Sequence, residues 1–130
     1  MTILTIKTDQ PEAEIGLFDD KTQLSKFSWH AHTGLAETIH AKIKAVLESK
    51  KLSWNDIDGI VVYKGPGSFT GLRIGISIAN SLAYGLDAPI AASSGEKWES
   101  SGISNLLNNK SKELILPNYG SPPHITPPKR

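Results

Sequence analysis

Residues 57–86 read IDGIVVYKGPGSFTGLRIGISIANSLAYGL, and this stretch decides the fold. Ile60, Val61, Val62 and Tyr63 form a short apolar run rich in β-branched and aromatic side chains, the pattern of a strand buried on both faces. Gly65-Pro66-Gly67 then breaks the run, because glycine accepts positive φ and proline has no N–H to donate. Ser68 or Thr70 suits the N-cap of the helix behind the turn. From Ser68 to Leu86 the spacing predicts a helix whose sole charged residue is Arg73. Gly71, Gly75, Ala79 and Ala83 recur every fourth residue and form a stripe of small side chains down one face. Leu72, Ile74, Ile76, Ile78, Leu82 and Leu86 occupy most of the remaining surface. A helix that is apolar nearly all round has to be covered on most sides. Each interior glycine costs about 1 kcal/mol relative to alanine, so two of them a turn apart imply a close backbone approach. That approach has two readings: a core helix pressed onto a sheet, or a helix with one face on the sheet and another against a second helix from a different chain.

Outward from this centre, Thr2 to Lys7, Ala13 to Phe18 and Thr22 to Trp29 alternate as strands. Turns at Asp9-Gln10-Pro11 and Asp19-Asp20-Lys21 join them into an antiparallel meander. Thr33 to Ser49 is a helix, with Leu35, Ile39, Ile43, Val46 and Leu47 on one face and Thr33 as its N-cap. Ser53 and Asp56 have the spacing of a capping box around a single turn. Ala88 to Ala92 reads as a further strand. Strand, helix, strand in that order predicts a right-handed parallel crossover. Ser94 is the expected cap of a helix from Gly95 to Leu107, and Glu113 to Leu116 adds a brief strand. Residues 1–116 therefore form one domain. Residues 117–130, with five prolines, form an extended tail.

The chain has 130 residues, 38% hydrophobic and 21% charged, which suits one soluble globular domain. A net charge of +1 gives no global attraction to nucleic acid or to anionic membrane. With no cysteine, disulfides, thiolate zinc sites and a cysteine nucleophile are all excluded. No run approaches the roughly 20 apolar residues of a membrane span. His30, His32 and His40 are the candidate metal ligands. His32 and His40 lie two helical turns apart, about 12 Å, too far for one ion with ligands at about 2.1 Å.

The run GPGSFTGLRIG, with the apolar helix behind it, resembles the signature of the TsaB (YeaZ) family. His32-Thr33 followed by Leu35 looks like that family's helix entry, and Tyr119 to Ile125 is similar to the end of some short relatives. The resemblance implies an α/β, actin-like or RNase H-like (ASKHA) half-domain: a mixed sheet with a three-strand meander plus parallel strands, and helices packed on it. It implies a non-catalytic cytoplasmic subunit that pairs with a TsaD-like transferase making threonylcarbamoyl-adenosine at position 37 of tRNA, with a TsaE-like ATPase as a further partner. ATP and a metal ion would be used by those partners and not by this chain, and tRNA would be met indirectly. By position, the partner interface falls on His32, Leu35, Ile39, Gly71, Leu72, Gly75, Ala79 and Ala83. The same helices would serve a homodimer, and Gly75→Leu is expected to spare the fold and abolish pairing.

Two departures matter. The family reads Ile-Asp-Thr at the end of its first strand, whereas this chain has Ile6-Lys7-Thr8, and a lysine cannot ligate a divalent cation. Asp9 is the nearest substitute. Typical relatives also carry a second actin-like half, so this chain is either a naturally minimal form, which its intact-looking C-terminus favours, or a fragment. The Gly65–Thr70 turn feeds a helix N-terminus, so Gly65, Gly67, Ser68, Phe69, Thr70 and Arg73 are the expected phosphate or nucleotide contacts if there are any. The spacing is neither a dinucleotide fingerprint nor a Walker loop. The rival readings are a small nucleotide-binding phosphotransferase and a homodimeric interaction module unrelated to tRNA.

Overall fold

The computed structural model describes residues 1–31, 34–67, 69–108 and Ile115. Five strands form one mixed sheet: β1 (Thr2–Lys7), β2 (Glu12–Asp19), β3 (Thr22–His30), β4 (Gly59–Tyr63) and β5 (Ile90–Ser93). Their order across the sheet is β3-β2-β1-β4-β5. The first three strands pair antiparallel, with Ile6 opposite Ile15 and Ile15 opposite Phe27. β1 pairs parallel with β4, and β4 with β5. Short turns can join the antiparallel strands; parallel neighbours need crossovers, here supplied by α1 (Leu35–Ser49) and α2 (Phe69–Leu86). The chain ends its described fold with α3 (Trp98–Asn108).

The alternation of strand side chains divides the core in two. Leu4, Ile6, Ile15, Leu17, Ile60 and Val62 meet α1 and α2 on one face. Ile3, Phe18, Val61 and Tyr63 meet Trp98, Ile103 and Leu106 of α3 on the other. Every residue of β4 is buried, as its unbroken apolar run requires. β3 is an edge strand and mostly exposed. Lys26 on it reaches Glu99 of α3 at 2.7 Å, and the other carboxylate oxygen of Glu99 accepts from Thr5 Oγ1 at 3.1 Å.

Several element limits differ from the sequence reading. α1 starts at Leu35 with Gly34 as its N-cap residue; Thr33 lies outside the described residues. β5 starts at Ile90, because Pro89 has no N–H and contributes only its carbonyl, which accepts from Ile60 N at 3.0 Å. α3 starts at Trp98, not Gly95: Gly95 sits at φ +85°, outside helical space. Ser94 caps nothing, and its buried hydroxyl makes no hydrogen bond among the described residues. The Ser53–Asp56 capping box is present, with Ser53 N donating to Asp56 Oδ2 at 2.8 Å. Of the expected strand at 113–116 only Ile115 is described, and it is not in a strand; the tail at 117–130 also lies outside the described residues.

The small-residue stripe of α2 faces the sheet. Gly75 is buried, and Ala79 and Ala83 belong to the core between α2 and the sheet. A Cβ on Gly75 would collide with the side chain of Thr8, just beyond β1. The Thr8 hydroxyl donates to the carbonyl of Gly71 at 2.7 Å, so the end of β1 is stitched to the first turns of α2. The expectation that Gly75→Leu spares the fold is therefore corrected: four extra heavy atoms have no space there. Gly75→Leu should lower the unfolding free energy by roughly 3 kcal/mol, at the upper end of overpacking costs, as read by urea denaturation. An unchanged midpoint would mean that α2 stands further from β1.

Candidate functional site

α1 and α2 lie side by side on one face of the sheet, and their outer surfaces frame a groove of about 550 Å³. Its lining comes from Ala36 and His40 of α1 and from Thr70, Arg73, Ile74, Ser77 and Ile78 of α2. Ile74 and Ile78 are half-buried one turn apart, while Ala36, Thr70 and Ser77 are exposed. The floor is apolar, the rim is polar, and the small side chains leave room for a close neighbour. The His40 ring is tilted against Trp54, with centroids 6.1 Å apart.

Most of the residues assigned from sequence to a partner surface are elsewhere. Leu35, Ile39, Leu72, Ala79 and Ala83 are buried within the chain, and Gly75 backs onto Thr8. Gly71 is half-buried and uses its carbonyl for Thr8; His32 lies outside the described residues. These assignments are corrected for a simple reason. The face that approaches the sheet is the face with small side chains, so the outward face is the one offset from it, carrying Ile74, Ser77 and Ile78. The signal that could have found this side was the polar stripe of Thr70, Arg73, Ser77, Ser81 and Tyr84, which share one helical face and are all exposed.

A second cluster lies where β1 and β4 end. Lys7 Nζ pairs with Asp9 Oδ1 and sits 4.6 Å from the centroid of the Tyr63 ring. Gln10 Nε2 donates to the other carboxylate oxygen of Asp9 at 3.3 Å. Asp9 is 7% exposed and packs on Gly67, where an added Cβ would come within 2.5 Å of the Asp9 Cβ. Tyr63 Oη donates to the carbonyl of Pro66 at 3.0 Å, and Gly65 takes φ +111°, a conformation that favours glycine. Both oxygens of Asp9 thus have partners, and the nearest cation is a tethered ammonium. This donor set does not fit a divalent metal ion. A phosphate brought to the turn at Gly65 and Gly67 would meet the Asp9 carboxylate beside it. Ser68 lies outside the described residues, and Phe69 opens α2; Thr70 and Arg73 line the α1–α2 groove. Among the described residues no three His, Asp or Glu come together in a metal-binding arrangement, and no helix is long and apolar enough to cross a membrane.

The open part of the sheet carries a third, polar concavity of about 540 Å³, bordered by Lys7, Gln10, Glu12, Glu14, Ser28 and His30. It lies on the α3 side of the sheet, toward the β1 end that carries Lys7, with Glu14 next to the Lys26 that pairs with Glu99 of α3.

Removing one member of the Lys7–Asp9 pair strands a buried charge. Lys7→Met should cost about 1–3 kcal/mol in urea denaturation. Lys7→Met with Asp9→Asn should recover at least half of that in a double-mutant cycle. Additive losses would show that the two groups do not interact.

The model of the tRNA N6-adenosine threonylcarbamoyltransferase family matches residues 30–94, half of the chain. The Bacillus subtilis tRNA threonylcarbamoyladenosine biosynthesis protein TsaB is 35% identical over 92 residues, covering 71% of this chain and 40% of the relative. The Escherichia coli protein of the same name is 36% identical over 92 residues, covering 69% and 38%. Among solved structures, YeaZ from Pseudomonas aeruginosa superposes with a TM-score of 0.66 at 26% identity, over 72% of this chain and 43% of that one. RuvC from Thermus thermophilus, at a TM-score of 0.52 and 12% identity, shares the fold over 72% of this chain and 64% of its own. The chain spans about two fifths of the length of the curated relatives it matches. The sheet order, the β4–turn–α2 unit and these relatives agree: the chain is an α/β half-domain of the RNase H-like, actin-like class and belongs to the TsaB (YeaZ) family.

Proposed function

We propose that this chain is a non-catalytic subunit in the biosynthesis of threonylcarbamoyladenosine on tRNA. It pairs with a TsaD-like transferase through the groove between α1 and α2. The observation that carries this reading is the groove itself. Ile74 and Ile78 are left half-buried between two helices whose fully apolar faces already lie on the sheet. An apolar floor inside a polar rim is the anatomy of a protein–protein contact. The exposed Ala36 and Ser77 let a partner helix come close.

The end of β1 supports the non-catalytic part. Lysine stands at position 7, and Asp9 is committed to Lys7 and Gln10, so no carboxylate there is free to hold a metal-bound nucleotide. In this reading ATP and metal belong to partner subunits, a TsaE-like ATPase among them. With a net charge of +1, the chain reaches tRNA only through its partner. A second copy of the chain would use the same groove in the partner's absence. The setting is the cytoplasm, where such a complex meets tRNA.

Ala36→Arg and Ser77→Arg test the surface without touching the core. Each should leave thermal unfolding within about 2 °C of the unaltered protein, since exposed substitutions rarely exceed 0.5 kcal/mol. Each should reduce recovery of the TsaD-like partner in a pull-down by about tenfold or more, as a charge placed in an apolar contact does. Unchanged recovery for both would reject the groove. Hydrolysis of ATP with magnesium by the isolated chain would reject the non-catalytic role.

A further inference from the structure

α2 carries an amide, Asn80, in the middle of an otherwise nearly apolar helix. Asparagine is a poor residue for a helix interior, because its side chain competes for backbone hydrogen bonds. Here the half-buried side chain reaches out of its own helix. Asn80 Nδ2 donates to the carbonyl of Ile115 at 3.0 Å, and Asn80 Oδ1 accepts from the N–H of Ile115 at 3.0 Å. Both bonds close on one residue, thirty-five positions along the chain. A planar carboxamide offers one acceptor and a donor side by side. An extended residue offers its N–H and C=O on one side, as in a hydrogen-bonded pair of antiparallel strands. The side chain of Ile115 packs against the core shared by α1, α2 and the sheet.

The position of this contact is informative. At about 100° per residue, Ile78 and Asn80 stand on opposite sides of the buried Ala79. Ile78 lines the groove with α1, so Asn80 occupies the flank of α2 away from α1. α3, which precedes Ile115 in the chain, packs on the other face of the sheet. The contact therefore places Ile115 in the layer opposite α3.

We propose that Asn80 is a backbone clamp: a docking site on the flank of α2 for an extended peptide, filled by this chain's own segment at Ile115. The two hydrogen bonds read main chain only, so selectivity comes from the aliphatic side chain that enters the core beside them. Ile115 meets this flank of α2 at Asn80, whereas the side next to α1 opens into the groove. The clamp stands whether or not the pairing proposed above is correct.

Hydrogen exchange on the full chain, followed by NMR or by mass spectrometry at peptide resolution, tests the clamp. The amide of Ile115 should exchange at least about tenfold more slowly than an unprotected amide, as a hydrogen-bonded, partly buried N–H does. Asn80→Leu should remove that protection, and Asn80→Asp, which keeps the acceptor and loses the donor, should retain part of it. Ser81→Ala, one residue on and exposed, should leave it unchanged. An unprotected Ile115 amide in the unaltered chain, or unchanged protection in Asn80→Leu, overturns the clamp. Should Asn80→Leu not fold, exchange in the unaltered chain decides the matter alone.

Discussion

The contact on which the structure depends is the close seat of α2 against the end of β1. Gly75 has no side chain, and Thr8 fills the space one would occupy, with its hydroxyl bonded to the carbonyl of Gly71. A helix that stood off by one side chain would lose the dispersion contacts of Ala79 and Ala83 with the sheet, and interiors packed this densely do not relax to recover them. The same seat brings Gly67 onto Asp9 and so places the turn between β4 and α2 beside the end of β1. It also sets the rotation of α2 about its axis. With the small side chains inward, Ile74 and Ile78 are left toward α1, where they line the groove.

Charge at the strand ends follows from the same geometry. The parallel ends of β1 and β4, next to a helix N-terminus, are where folds of this kind gather anionic ligands. In this chain the position is taken by an internal ion pair. Lys7 neutralises Asp9, lies near the face of Tyr63, and holds a carboxylate close to the glycine turn. An aspartate at position 7 would add a second negative charge; a lysine removes the need for a bound cation. In the function proposed above, the part left to the chain is recognition of another protein through the α1–α2 groove.

The family model covers residues 30–94, which hold the glycine turn and α2, while the curated TsaB relatives match about 70% of the chain and two fifths of their own length. The meander, the parallel crossover and the β4–turn–α2 unit were legible in local periodicity and in residues with restricted φ, and the fold class in the resemblance to the TsaB family. The limits that moved did so for local reasons as well: Pro89 cannot donate into a ladder, and Gly95 adopts a positive φ.

The direction in which α2 faces had a signal in the sequence that the small-residue stripe obscured. Thr70, Arg73, Ser77, Ser81 and Tyr84 fall on one side of α2 at helical spacing, and all five are exposed. Six of the eight residues assigned to a partner by position proved to be core, because the sheet accepts the small-residue face more closely than any other. The pairing of Lys7 with Asp9 was also hidden, since spacing along a chain that turns out of its strand does not say whether two side chains meet. The tie between Asn80 and Ile115 spans thirty-five residues and uses main-chain atoms, which leave no mark on composition or period. By itself the sequence determined which segments are strands and helices, because backbone conformation answers to neighbours along the chain. Only the tertiary structure decided how closely those segments seat and which charges meet, because those depend on distances between segments that the chain order does not specify.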